Sequence, residues 1–263
     1  MAFASFGAKL SFPPGRGAYC FRIHGQIHHR TGSLHPAIGT APLFSQLYII
    51  EGNEAVQYRL QHPENKECLE DTMLLLTTTL SQINPYALAY KYMHQVETDL
   101  GHTSETVSMY FKRGHDQRRY NEPTHDEVAI VFKSIDGEPP ADRDIVVHPY
   151  NEPPRNISYM SANTDPMTYP ILFPRGDLGW YSELAHDRNR ATAKRNTVTL
   201  LQFYSYRLAA RATFSPIFWE GKLFQQYVRR RRVRQNRGFQ TGLPQTKSKG
   251  LKSRSVSGTN GSC

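Results

Sequence analysis

The sequence predicts an α+β fold, in which a small antiparallel sheet carries an inserted pair of helices. Short segments with alternating apolar residues indicate strands, and a central stretch with helical spacing indicates the pair. Strands and helices fall in separate runs, which disfavours repeated βαβ units. An OB-type barrel is one geometry open to the strands. We expect an irregular connector, a helical hairpin and a disordered C-terminal tail to follow.

Residues 1–18 are small and rich in Gly and Pro, and we expect them to be disordered. Residues 20–30 alternate apolar and polar side chains with the period of two that is typical of a half-buried strand. Four further strands are predicted at residues 44–50, 106–111, 128–132 and 144–147.

The central helical pair is predicted by spacing and by a capping signal. One helix face is formed by Leu69, Met73, Leu76, Leu80 and Ile83, which recur at intervals of three and four. The dipeptide Asn84-Pro85 supplies an N-cap and a first-turn proline, so a second helix is expected from there to about Val96.

The C-terminal half is predicted to consist of a connector, a helical hairpin and a tail. Residues 149–180 are rich in Pro, Asn and Gly and predict an irregular connector, and helices are expected at 198–212 and 216–227. We expect Trp219, Leu223 and Tyr227 to pack against Leu201, Tyr204 and Leu208. The predicted layout is therefore a disordered 1–18, an α+β domain at 19–148, connector and hairpin at 149–227, and a basic tail at 228–263.

Charge is concentrated in that tail. The chain has a formal net charge of +9, and residues 228–263 contain ten Lys/Arg and no acidic residue, so residues 1–227 carry about −1 by subtraction. No apolar run approaches the length of a membrane span, and no secretory signal is visible. Three isolated cysteines, Cys20, Cys68 and Cys263, favour a reducing compartment, with Cys20 and Cys68 expected to be buried. We expect a nuclear or cytoplasmic protein that is not secreted and has no membrane partner.

The motif search predicts no catalytic, cofactor-binding or metal-binding residue. The chain has no P-loop, no G-x-S-x-G, no H-E-x-x-H and no pair of histidines spaced i, i+2. His24 and His28 share a strand face, but zinc needs three or four ligands. We therefore expect these two and His29 to face solvent or to form hydrogen bonds.

Two basic clusters are candidates for contact with DNA. One combines Lys and Arg with neighbouring aromatic residues near residue 115, a composition that suits phosphate contact and base stacking; the other begins the tail. Each is also compatible with a solvated charged segment, and the tail resembles a nuclear localisation signal. The candidate DNA-binding residues are Arg22, His24, His28, Lys112, Arg113, Arg118, Arg119, Arg229, Arg230, Arg231 and Arg232.

Four stretches in this order resemble the N-terminal part of Helitron rolling-circle transposases, often described as helicase-like. They are F-R-I-H-G-Q-I-H-H-R-T-G-S-L at 21–34, Y-N-E-P-T-H-D-E-V-A at 120–129, D-P-M-T-Y-P-I-L-F-P-R-G-D-L-G-W at 165–180, and Q-F-Y-S-Y-R-L with G-K-L-F-Q-Q-Y at 202–208 and 221–227. The resemblance spans about residues 19–227. The third and fourth stretches are the most specific.

The resemblance implies a DNA-related protein without its enzymatic centres. Family members join a Rep-type nuclease to an ATP-dependent DNA helicase, and both lie beyond the F-Q-Q-Y helix. No catalytic residue can therefore be carried over, and the chain is not expected to be an enzyme as it stands. If ordinary codons are chosen for residues 228–235, translation of the same nucleotides from one base later gives the peptide Y-V-V-D-A-Y-V-K. This peptide resembles the continuation of the F-Q-Q-Y helix in the family. We interpret residues 228–263 as a frameshifted segment of a truncated protein.

Two functions from different classes remain open. One is an inert Helitron fragment that binds DNA weakly, single-stranded rather than duplex. The alternative is a domesticated DNA-binding or adaptor module that uses the arginine-rich tail. The sequence does not identify a protein partner.

Overall fold

A computed structural model describes residues 1–11, 22–101, 106–111, 128–134, 145–150, 153–158, 160–186, 196–211, 216–219, 221 and 223–228. These residues form two antiparallel three-stranded sheets and several helices, which confirms the predicted α+β class. Within these ranges the strands do not form one closed barrel, because the two sheets have separate strand orders.

The first sheet has the order β1-β2-β6 and is antiparallel throughout. Its strands are β1 (Ser5–Ser11), β2 (Arg22–Thr31) and β6 (Arg155–Ile157). The prediction of disorder was wrong for β1, which pairs with β2 through a register shift between Gly7 and Lys9. The small residues and glycine of this segment suggested disorder, but antiparallel pairing with β2 provides partners for the backbone groups on that side of β1.

The second sheet has the order β4-β3-β5. Its strands are β3 (Thr106–Phe111), β4 (Ala129–Ser134) and β5 (Val146–Val147), all within one or two residues of prediction. Their apolar side chains provide much of one core, which includes the buried Val107, Met109 and Phe111.

The strand predicted at 44–50 was wrong. Phe44–Tyr48 is a 3-10 helix, followed by the unpredicted helix α1 (Gly52–Gln61). The side chain of Gln46 accepts a hydrogen bond from the Leu43 backbone N–H at 2.9 Å, so this segment satisfies its polar groups locally. β-prone apolar residues alone did not reveal that local bond.

The central helical pair is confirmed. Helix α2 (Glu70–Ile83) buries Met73 and Leu80, while Leu69 and Ile83 at the ends of the predicted face are exposed. Helix α3 (Pro85–Leu100) begins as predicted and extends one turn further. The Asn84 side chain accepts from the backbone N–H groups of Tyr86 and Ala87, at 3.0 and 3.4 Å.

The predicted connector contains β6 and the short helix α4 (Thr164–Thr168), and many of its residues are buried. Helix α5 (Leu200–Arg207) is shorter than predicted, and a 3-10 helix at Pro216–Trp219 precedes helical residues within 221–228. The hairpin prediction was correct for Tyr227, which is buried against Tyr204. It was wrong for Trp219 and Leu201, which are 77% and 53% exposed.

Two buried clusters form the interior. The larger joins both sheets, α2 and α3 around Phe3, Tyr86 and Tyr90; the smaller joins the connector, α5 and residues 223–228 around Tyr169, Phe173 and Tyr227. Phe224 lies partly exposed at the edge of the smaller cluster. No helix in the described ranges is both long and apolar enough to cross a membrane.

Candidate nucleic-acid interface

One face of the first sheet presents basic side chains to solvent. In β2, His24, His28 and Arg30 are exposed, while the alternating His29 and Thr31 are buried. This alternation follows from the strand period of two. The partner of His24 across the β1–β2 ladder is the exposed Lys9, so Lys9 extends the same face.

Hydrogen bonds hold several of these side chains in place. Ser11 Oγ lies 2.8 Å from His24 Nε2, and the Arg30 Nε–H donates to Asn156 Oδ1 at 3.1 Å. Ser5 Oγ also donates to the Arg30 carbonyl, at 3.3 Å. These bonds leave the other donors of the Arg30 guanidinium group available to an anion.

The strands themselves contribute no opposing charge. The residues of β1, β2 and β6 include Lys9, Arg22, Arg30 and Arg155 but no Asp or Glu. Residues 1–227 are close to neutral as a whole, so this is a local concentration of positive charge. Such a face attracts phosphate groups.

A cleft of about 310 Å³ adjoins the sheet, and Arg30 and Phe44 are among its lining residues. Phe44 is 41% exposed and has a positive φ of 53°, which is an uncommon and strained conformation for a bulky residue. An exposed ring beside a guanidinium group can stack on a base while the cation contacts a phosphate. We call the exposed side chains Lys9, His24, His28, Arg30 and Phe44 the basic sheet face.

The structure describes only part of the predicted binding set. The exposed side chains of His24 and His28 lie on the basic sheet face, and Arg22 lies in β2, paired with Ser11. Eight predicted residues lie outside the described ranges: Lys112, Arg113, Arg118, Arg119, Arg229, Arg230, Arg231 and Arg232. The prediction that Cys68 is buried was wrong, because it is exposed. It lies in a polar loop just before α2.

Sequence reasoning missed Lys9, Arg30 and Phe44. Lys9 lies in a segment predicted to be disordered, and Phe44 in one predicted to be a strand. Arg30 could have been found, since it continues the alternation of His24 and His28 at the end of the predicted strand.

Polar contacts connect the first, third and fourth family-like stretches. The buried His29 Nδ1 lies 3.2 Å from Thr168 Oγ1. Tyr204 donates from its hydroxyl to Oδ2 of the fully buried Asp165, at 2.7 Å. These buried hydrogen bonds fix the relative positions of the three stretches.

A second polar group, outside the basic sheet face, has ligand atoms suited to a metal. His35, His94 and Glu97 each offer one ligand atom, and these atoms lie within 4.8 Å of one another. His35 Nε2 lies 2.6 Å from Glu97 Oε2, and His94 Nδ1 lies 3.7 Å from the same oxygen. The H-x-x-E spacing places His94 and Glu97 on one face of α3, and that signal was available in the sequence.

Comparisons of the chain with protein-family models, with curated proteins and with solved structures found no match.

Proposed function

We propose that this chain is the N-terminal segment of a Helitron-type transposase, which contacts DNA but contains neither the nuclease nor the helicase centre. The supporting observation is that family-like stretches far apart in sequence pack together. His29 contacts Thr168, Tyr204 contacts Asp165, and the Tyr227 ring lies 6.1 Å from that of Tyr204. Residues retained from one ancestral core would be expected to meet in this way.

The proposed activity is weak, salt-sensitive binding of single-stranded DNA through two surfaces. The tail supplies ten cationic side chains on a segment without acidic residues. The basic sheet face supplies a smaller patch with a ring for stacking. Because the body is near neutral, we expect most of the binding free energy to come from the tail.

Fluorescence anisotropy of a labelled oligothymidylate tests this proposal. The probe should be about 20 nucleotides long, which exceeds a single binding site. The full chain is compared with three variants: Arg229–Arg232 all changed to Ala, Lys9→Ala with Arg30→Ala, and Lys66→Ala with Lys91→Ala. The last pair removes two exposed lysines outside the sheet and serves as the charge-matched control.

Each lost phosphate contact should reduce the slope of log affinity against log salt by about 0.7. The tail variant should therefore lose about 3 in slope and most of its affinity, the sheet variant about 1.4, and the control none. The proposal of DNA contact fails if the full chain does not bind at low salt, or if the control pair weakens binding as much as the sheet pair. The same preparations should show no ATPase activity and no nicking with Mg²⁺ or Mn²⁺.

The second candidate is a domesticated DNA-binding or adaptor module that uses the arginine-rich tail, and the basic sheet face would give such a module a second surface for phosphate contact. The nucleotide sequence of the locus distinguishes the two. A continuation past Tyr227 in another frame, into His-x-His and P-loop motifs, supports the transposase fragment with a frameshifted tail. An expressed message with a stop codon directly after Cys263 supports the module.

A further inference from the structure

We propose that His35, His94 and Glu97 form a binding site for one Zn²⁺ ion. Two imidazoles and one carboxylate are a donor set that zinc accepts, with a fourth position left for water. Magnesium and calcium prefer oxygen ligands, so the two imidazoles favour a transition metal. The site is separate from the basic sheet face and does not rest on the proposed function.

The unsatisfied nitrogen of His94 is the observation that distinguishes a metal site from a simple hydrogen bond. His35 and Glu97 are only 2.6 Å apart and satisfy each other. His94 Nδ1 is buried and has no hydrogen-bond partner among the described residues, although it lies 3.7 Å from Glu97 Oε2. A buried nitrogen without a partner costs free energy, and a cation between the three groups would satisfy it.

The distances are compatible with a tetrahedral ion. Zinc bonds of about 2.0–2.2 Å place two ligand atoms about 3.3 Å apart. The 3.7 Å between His94 Nδ1 and Glu97 Oε2 is already close to this value. The 2.6 Å between His35 Nε2 and Glu97 Oε2 must lengthen by about 0.7 Å. The two imidazole nitrogens lie within 4.8 Å of each other, so the three ligand atoms need shifts of about an ångström to surround one ion.

The backbone that carries the ligands is well fixed. His94 and Glu97 belong to α3, while the loop of His35 is held by backbone hydrogen bonds from Leu34 to His148 O at 2.8 Å and from His35 to Pro149 O at 2.9 Å. The Tyr150 ring stacks on the His35 imidazole with centroids 4.5 Å apart. These hydrogen bonds and the ring stacking fix the orientation of His35 before a metal binds. A bound ion would therefore link this loop to α3.

Zinc binding can be measured on the full chain by isothermal titration calorimetry, after alkylation of the three cysteines to remove competing thiolates. We expect one Zn²⁺ per chain. His94→Ala and Glu97→Gln should each weaken binding at least tenfold, since loss of even a supporting partner costs about 10–100-fold. His62→Ala, at an exposed histidine outside the group, is the matched control and should bind as the wild type does.

Two further readouts make the result specific. Co²⁺ should give the visible absorption of a four-coordinate ion with wild type and lose it with His94→Ala. Zinc should raise the thermal unfolding midpoint of wild type but not of Glu97→Gln, a near-isosteric change that keeps hydrogen-bonding capacity. The proposal is overturned if alkylated wild type binds no zinc, or if both variants, folded by circular dichroism, bind it as tightly as wild type.

Discussion

Asn84 acts at two places with one side chain. Its Oδ1 caps α3, and its Nδ2 donates to the carbonyls of Phe173 and Pro174, at 3.4 and 3.0 Å. The capping role could be predicted, because an Asn-Pro dipeptide is a local signal. The second role could not, because it depends on residues about ninety positions away in the sequence.

Replacement of Asn84 by Ala should therefore cost more than the loss of a cap. The cap contributes about 1 kcal/mol to the free energy of unfolding. Loss of the donor to the two carbonyls should cost about a further 1–2 kcal/mol. We expect a loss of about 2–3 kcal/mol in urea unfolding. Thr199→Ala removes the exposed cap of α5, whose side-chain hydrogen bonds among the described residues are both to the neighbouring Gln202, and should cost only about 1 kcal/mol. Equal losses in the two variants would contradict the double role.

The elements best predicted from sequence are those that depend on local signals. Helices α2 and α3 and strands β2 to β4 follow their apolar periodicity. Strand β1 and the 3-10 helix at Phe44–Tyr48 depend instead on pairing with β2 and on a side-chain hydrogen bond. The basic sheet face was only partly predicted for the same reason, since it needs β1 beside β2.

The turn at Gly176 packs closely against the first residue of α3. Gly176 has a φ of +73°, and an added Cβ would lie 2.4 Å from Cγ of Pro85, the first residue of α3. We expect Gly176→Ala to cost about 1–2 kcal/mol for the left-handed backbone and a further 1–3 kcal/mol, roughly, for the clash.

Gly39→Ala is the matched control for that experiment. Gly39 has a similar φ of +79°, but a Cβ there would meet nothing within 4 Å. It should lose only the backbone contribution, about 1–2 kcal/mol. Chemical denaturation of both variants therefore isolates the effect of the contact with Pro85. Similar losses in the free energy of unfolding would show that small shifts of neighbouring atoms remove the clash.

At the scale of the whole molecule, the larger core is unusually rich in tyrosine. Tyr48, Tyr86 and Tyr90 are all buried around Phe3. Burial raises the pKa of all three, because desolvation disfavours the phenolate. The abundance of aromatic residues was visible in the composition, but which tyrosines are buried was not.

These shifts predict a loss of stability in alkali. The unfolded chain releases phenolic protons near pH 10, whereas the folded chain retains them. The stabilisation is therefore complete below about pH 10 and is lost as the pH rises toward the folded pKa values. Because all three shifts have the same sign, the free energy of unfolding should be lower at pH 11 than at pH 9.

Urea unfolding at the two pH values measures this loss. Tyr90→Phe removes one of the three buried phenols and should make this loss smaller. Tyr206→Phe, at a side chain that is 74% exposed, should leave it unchanged. An identical urea midpoint for wild type at pH 9 and pH 11 would contradict the prediction.

The backbone N–H groups of Phe3 and Ala4 donate to the carbonyl of Met167, at 2.8 and 3.1 Å. During translation, Phe3 and Ala4 are therefore synthesised well before Met167, whose carbonyl accepts their hydrogen bonds. At about 5–20 residues per second, this delay is roughly 8 to 30 seconds. During this delay the two N–H groups lack this native acceptor, and a chaperone can shield the apolar segment that carries them. The part of the core around Phe3 can therefore be completed only after residue 167 has been translated.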